Sequence, residues 1–302
     1  MADNVFAINL NCYSYGRFDL AECLEQIKQT PLRRLELPAE QTRPNSLIPE
    51  LMIDAPLNGQ WRYSLPDLKE LLARDGFIAD SLDVFGALGY PGGAGIIKRR
   101  IDFAEALGTD TIVMGCHHHA LSPPGGSATV ADNAETRAAR EAVYGILRDT
   151  GQYAAGKGVR VALEIHGLLM SSADEALRTM REVGLSNVGV NFDTANILFY
   201  NEDRPAKYCL EAIAALARHI THVHLKDIVR GKTREDHVLP RLGQGEVDFR
   251  GVFDTLHGAG FTGPFSFEVE TFHKATESDD IAAYQADVLH SIEYVKSLGE
   301  FA

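Results

Sequence analysis

Apolar and polar residues alternate with a period of two in eight short stretches of the chain, at residues 5–10, 33–37, 77–84, 110–116, 160–167, 189–193, 221–227 and 264–270. That period places successive side chains on opposite faces of an extended strand. Between these stretches the apolar positions recur every three or four residues, which is the stripe of an amphipathic helix. Helices are expected near residues 19–29, 66–74, 95–107, 132–155, 172–184, 206–218, 248–259 and 279–296. Several carry their own punctuation. Ser172 and Glu175 have the spacing of a capping box, and Gly108, Gly184 and Gly260 stand where helices stop. Strands alternating with helices imply parallel pairing through right-handed crossovers. Eight such units in 302 residues fit a closed (β/α)8 TIM barrel of the α/β class, a single domain over residues 1–302. The competing arrangement is an open doubly wound sheet, and the absence of a glycine fingerprint after the first strand favours the barrel.

The phase of the last four strands brings in candidate chemistry. In residues 160–167, Val161, Leu163 and Ile165 share one face while Ala162, Glu164 and His166 share the other. The same reading groups Asn191 with Asp193, His222 with His224 and Lys226, and Ser266 with Glu268 and Glu270. Four consecutive strands thus end in carboxylate, carboxylate, imidazole and carboxylate. A barrel places its catalytic groups at those C-terminal ends. Ionised carboxylates persist in such a setting when they are paired or bind a metal. These strand-end groups are therefore expected to surround one divalent ion. Oxygen donors with a single nitrogen suit Mn²⁺, Mg²⁺ or Co²⁺, with Zn²⁺ also compatible.

Charge and composition narrow the partners. The net charge is -13, from 42 acidic and 29 basic residues, which argues against a partner presenting a phosphate backbone, so no nucleic acid is expected. No apolar run reaches the length that crosses a bilayer, and residues 1–4 do not open a signal peptide. The 4 cysteines are scattered and read as reduced core thiols. These features point to a cytoplasmic protein that makes no membrane contact.

Long segments at residues 38–65, 117–131 and 227–248 are expected to lie over the C-terminal mouth, the first holding the one tryptophan, Trp61. Residues 86–93 are glycine-rich but lack phosphate-loop spacing. Of His117, His118 and His119, adjacent residues on an extended segment cannot all face one site. His222 lies one step deeper than His224 and reads as a hydrogen-bonded core residue. His166 is open to substrate contact or to holding a neighbouring carboxylate, and Lys226 to polarising substrate or neutralising the cluster. Arg230 and His237, in the loop after the seventh strand, are open to substrate contact or plain solvation. Glu270, past the strand end, is expected to be solvated or to support its neighbours.

At Leu163-Glu164-Ile165-His166, at residues 191–196, at His222-Val223-His224-Leu225-Lys226-Asp227, at residues 243–249 and at Phe267-Glu268 the chain resembles the xylose-isomerase-like TIM barrel superfamily. The likeness is to its sugar phosphate isomerase/epimerase branch, with the ketose 3-epimerases as examples. The resemblance implies Glu164, Asp193, His224 and Glu268 as metal ligands, and Arg230, six residues past the ligand histidine, as a substrate contact. Asn196 stands where those epimerases place a substrate histidine, and Met170 replaces a second carboxylate, which leaves the particular sugar open.

The resulting expectation is a divalent-metal-dependent isomerase or epimerase acting on a small carbohydrate. The ion would hold a carbonyl oxygen and its neighbouring hydroxyl and so stabilise an enediolate, with Glu164 and Glu268 as the catalytic proton carriers. His166, Asn196, Lys226, Arg230 and His237 would line the substrate. If a leaving group departs instead, the same site is a lyase on a keto-sugar, keto-glycoside or inosose, as in inosose dehydratases. A remote alternative is a DNA-repair enzyme like endonuclease IV, which needs further histidines that Asn196 and the end of the third strand do not supply. Homo-oligomers are common in the resembling family, and the sequence does not decide the state of this chain.

Overall fold

The computed structural model describes residues 4–13, 18–39, 63–84, 92–116, 132–271 and 280–301, with Leu88, His118, Leu121 and Val130 besides. The expected cover at residues 38–65, the glycine-rich turn, most of residues 117–131 and two of the three adjacent histidines lie largely or wholly outside the described residues.

Eight parallel strands close on themselves in sequence order: β1 (Phe6–Asn9), β2 (Arg34–Pro38), β3 (Ile78–Val84), β4 (Thr111–Met114), β5 (Arg160–Glu164), β6 (Val188–Asp193), β7 (Ile220–Leu225) and β8 (Phe265–Phe267). The barrel seam is the β1–β8 pairing, with Ala7 opposite Ser266. Around it run α1 (Leu20–Ile27), α2 (Leu65–Arg74), α3 (Gly93–Leu107), α4 (Ala134–Gly156), α5 (Ala173–Val183), α6 (Asn196–Phe199), α7 (Tyr208–Leu216), α8 (Phe249–Gly258) and α9 (Ile281–Ser297).

Local sequence explains the boundaries. Asp19 and Glu22 form a capping box on α1, and Asn133 and Thr136 form another on α4. Ser172 caps α5, its side chain accepting from the Glu175 amide. Gly108 and Gly184 end α3 and α5 in the left-handed conformation. One strand residue in two turns outward, and Leu35, Leu37, Leu163, Val190, Phe192, Val223 and Phe265 join helix residues such as Leu24, Ile97, Leu147, Ile213 and Phe253 in one buried cluster. The other phase fills the barrel with polar groups. Asn9, Glu36, Ser81, Asn191, His222 and Ser266 are all fully buried there. No described helix is long and apolar enough to cross a membrane.

Two expectations on the elements change. The short helix α6, which the hydrophobic pattern does not announce, follows β6 at once because the Asp193 carboxylate accepts the Ala195 and Asn196 amides, both at 2.8 Å. β8 is only three residues long, although the alternation over residues 264–270 predicts an extended run throughout. Beyond Phe267 its backbone turns to the Cys12 thiol, which accepts from the Val269 amide at 3.1 Å and donates to the Phe267 carbonyl at 3.2 Å.

Candidate metal centre

Strand ends position the donors. Glu164 closes β5 and Asp193 closes β6, while His224 stands one residue before the end of β7, in register beside Asp193. Glu268 follows β8 directly, and its amide donates to the Leu225 carbonyl at 3.0 Å, which holds it against β7. Shortly after β5 the chain turns. Gly167 (φ 79°) and Leu168 (φ 51°) make that turn in the left-handed region, and a side chain at 167 would come within 3.0 Å of the Tyr200 ring.

One donor atom from each of Glu164, Asp193, His224 and Glu268 lies within 4.8 Å of the other three, and all four residues are buried. His224 Nδ1 is 2.8 Å from Glu268 Oε2 and 3.5 Å from Glu164 Oε1. Close as these atoms are, they are misaligned: Asp193 Oδ2, His224 Nδ1 and Glu268 Oε2 are buried without a hydrogen-bond partner. Buried polar atoms are ordinarily satisfied; the Lys226 ammonium approaches two of these three, Glu268 Oε2 at 2.8 Å and Asp193 Oδ2 at 3.2 Å, but none of the three is in a hydrogen bond, and a bound cation would complete them. The donor set fits a hard or borderline divalent ion.

Lys226 brings positive charge to the group. Its Nζ lies 2.8 Å from Glu268 Oε2, 2.8 Å from Glu270 Oε2 and 3.2 Å from Asp193 Oδ2. Burial works against that ammonium, yet Asp193, Glu268 and Glu164 hold it firmly protonated. The pressure on the carboxylates differs between strands. For Asp193 burial, with Glu268 and Glu164 nearby, outweighs Lys226 and pushes the carboxyl up to about 6. For Glu268 burial is overcome by His224 and Lys226, which bring it down to about 2. For His224 burial would lower the imidazole, but Glu268 and Glu36 raise it well above the ordinary value.

The remaining expected residues divide. Asn196 Nδ2 donates to Glu164 Oε1 at 3.3 Å, and His166 Nδ1 sits 3.4 Å from Glu164 Oε2 with its side chain 40% exposed. Both therefore adjoin the donor group. Arg230 and His237 make their contacts elsewhere. The Arg230 guanidinium grips Glu246 Oε2 at 2.7 and 3.0 Å and the Arg204 carbonyl at 2.6 Å. His237 is buried, accepts from the Gly231 amide at 3.0 Å and packs edge-on against Phe199. Glu270 is buried beside Lys226, so the solvated reading of it is corrected. His222 is the core residue expected, its Nδ1 2.9 Å from Asn191 Oδ1.

Two residues with a bearing on the site are not marked by the sequence pattern. Glu36, fully buried on β2, has its Oε1 3.0 Å from His224 Nε2 and its Oε2 3.6 Å from His222 Nε2. Its one signal is a carboxylate in the middle of an apolar strand. Asp227 accepts four backbone amides, those of Ile228, Gly243, Gly245 and Val247, at 2.8–3.2 Å. It thereby ties both ends of the loop after β7 to the strand end. A side chain on Gly245 would meet Asp227 Oδ1 at 2.1 Å, which explains the glycine there.

Fold and site together define a closed parallel eight-stranded barrel with a carboxylate–imidazole donor group at the C-terminal ends of β5 to β8. The chain belongs to the xylose isomerase-like TIM barrel family, whose sequence model matches residues 50–294. It is 32% identical over 138 residues to an inosose dehydratase of Geobacillus thermodenitrificans, a stretch covering 41% of this chain and only 45% of that protein. It is 25% identical over 244 residues to a ketose 3-epimerase of Arthrobacter globiformis, covering 76% of each. In three dimensions it matches a xylose isomerase-like TIM barrel protein from Mycobacterium smegmatis, solved in complex with magnesium, with a TM-score of 0.70 at 18% identity over 98% of this chain and 97% of the other.

Proposed function

We propose that this protein is a divalent-metal-dependent sugar isomerase or epimerase that moves a proton on the carbon next to a carbonyl. The observation that carries the reading is the convergence of Glu164, Asp193, His224 and Glu268 within 4.8 Å, three of them with a buried atom that makes no hydrogen bond. These four residues would hold the ion, which when bound supplies positive charge to the oxygen that becomes anionic as the proton leaves. Glu164 and Glu268 flank His224 from β5 and from the end of β8. A substrate carbon between them would lose its proton to one carboxylate and regain one from the other on the opposite face, which inverts the centre. Return of the proton to the neighbouring carbon gives isomerisation. His166 and Asn196, both against Glu164, fix the orientation of that carboxylate and offer donors to sugar hydroxyls. The ketose 3-epimerase likeness over 76% of the chain supports this reading.

A lyase is the second reading, favoured by Lys226 and by the inosose dehydratase likeness. An ammonium 2.8 Å from Glu268 is placed to give a proton to a departing hydroxyl after the carboxylate has taken one from the adjacent carbon. Incubating metal-loaded protein with ketoses and inososes in D₂O separates the outcomes. Deuterium in recovered sugar without loss of water marks the isomerase or epimerase. An enone absorbing in the ultraviolet marks the lyase. Neither signal with any member of the panel would remove proton-transfer chemistry from these sugars.

A further inference from the structure

We infer that Glu36 is a positioning residue, which presents the Nδ1 lone pair of His224 to the ion of the proposed centre by taking the proton on Nε2. The inference rests on the reading of Glu164, Asp193, His224 and Glu268 as a metal site. An imidazole offers a metal only the nitrogen that lacks a proton, and the partner of the other nitrogen decides which one that is. Here Nε2 is 3.0 Å from Glu36 Oε1, while Nδ1 faces Glu164 and Glu268. A carboxylate can only accept, and of the two ring contacts only that of Nε2 has hydrogen-bond geometry, Nδ1 making none at 2.8 Å from Glu268 Oε2, so Nε2 donates to Glu36.

The neighbours leave Glu36 free for this task. His222 places Nδ1 2.9 Å from Asn191 Oδ1, an acceptor, so its proton is there and its Nε2 is bare. That Nε2 accepts from the Ser81 hydroxyl at 3.3 Å and has no proton to give to Glu36 Oε2 at 3.6 Å, which is buried without a hydrogen-bond partner. A fully buried carboxylate with this little hydrogen bonding is costly for a fold to keep. The position is also hard to reach by accident. Glu36 lies on β2, across the barrel interior from β7 and 188 residues earlier in the chain. It therefore joins the site to a part of the sequence that supplies no donor to it.

The test is made on the whole chain with Mn²⁺ as the probe. At a pH high enough to leave His224 neutral, ¹⁵N-histidine spectra of the metal-free wild type should show it protonated at Nε2 with Nδ1 bare, and adding Mn²⁺ should broaden that ring. Mn²⁺ titration should show Glu36→Gln weaker than wild type and Glu36→Leu weaker by about 10- to 100-fold, the usual range for losing such a partner. A folded variant that binds Mn²⁺ within about twofold of wild type overturns the role of Glu36 and leaves the metal site standing. A neutral wild-type His224 protonated at Nδ1 overturns it too, even if neither variant folds. No Mn²⁺ binding by wild type overturns the metal reading itself, and the inference with it.

Discussion

Replacing Lys226 with methionine removes a cation that three buried carboxylates share. Its Nζ sits 2.8 Å from Glu268, 2.8 Å from Glu270 and 3.2 Å from Asp193, and its side chain is 5% exposed. Removing one partner of a buried ion pair typically costs about 3–5 kcal/mol, because the other charge stays behind unpaired. At roughly 2 °C per kcal/mol for a domain of this size, the metal-free variant should melt about 6–10 °C below wild type near pH 8. The deficit should shrink toward pH 5. Asp193, already raised to about 6, will take up a proton there and relieve the repulsion. A divalent ion at the four donors would supply the same relief, and without Lys226 it meets less like charge beside it. Lys226→Met should therefore bind Mn²⁺ at least about tenfold more tightly, and at 100 times its Kd the ion should restore about 2.7 kcal/mol. The assay is thermal melting by circular dichroism with chelator and with graded Mn²⁺, alongside direct titration. Equal destabilisation with and without the ion, and an unchanged Mn²⁺ affinity, would refute the reasoning that lysine and ion neutralise the same group.

Glu268→Gln should keep the fold and lower solvent deuterium exchange into an accepted substrate by about 10²- to 10⁴-fold, the usual share of a positioned acid–base group, and a loss below tenfold would rule it out as a proton carrier. Mn²⁺ affinity should rise with pH through neutrality, because the ion must displace a proton from His224, whose imidazole is raised by Glu268 and Glu36; titrations between pH 5.5 and 8.5 that gave a flat affinity would count against this. The same shift has a definite sign for the metal-free protein: a raised folded value stabilises fully below the ordinary value of 6.5 and fades as pH climbs through the folded value. Asp227→Asn should destabilise by about 3 kcal/mol although it is isosteric, because its amide nitrogen would face two amide donors, on either choice of rotamer; a denaturant midpoint within experimental error of wild type would show that the four bonds do not anchor the loop.

The barrel is legible because its strands carry a period of two and several of its helices a start or a stop. Ser172 with Glu175 and Gly184 mark α5 on both sides, and the structure ends the helix where they stand. The phase that separates Glu164 from Leu163 also brings the four expected donors together. What the sequence hides is pairing across the barrel. In Leu35-Glu36-Leu37 both faces are buried, so alternation no longer tells inside from outside. Nothing local ties Glu36 to a histidine 188 residues later. Lys226 is ambiguous in the sequence for a related reason: its neighbours Asp193 and Glu270 come from β6 and from beyond β8, and only the pairing of β6, β7 and β8 makes them three carboxylates around one ammonium. Arg230 is singled out by its offset from His224, whereas the fold returns Glu246 to it through the loop that Asp227 ties down. Short-range spacing locates donors on strands, but the partners that claim a charge are set by tertiary closure.

The central claim is that four strand ends share one divalent ion. A crystal structure of Mn²⁺-loaded protein, with anomalous scattering collected at the manganese edge, tests it most directly. One strong peak is expected between Glu164, Asp193, His224 and Glu268, with His224 bound through Nδ1. Anomalous density elsewhere, or none at these side chains under saturating Mn²⁺, would contradict it.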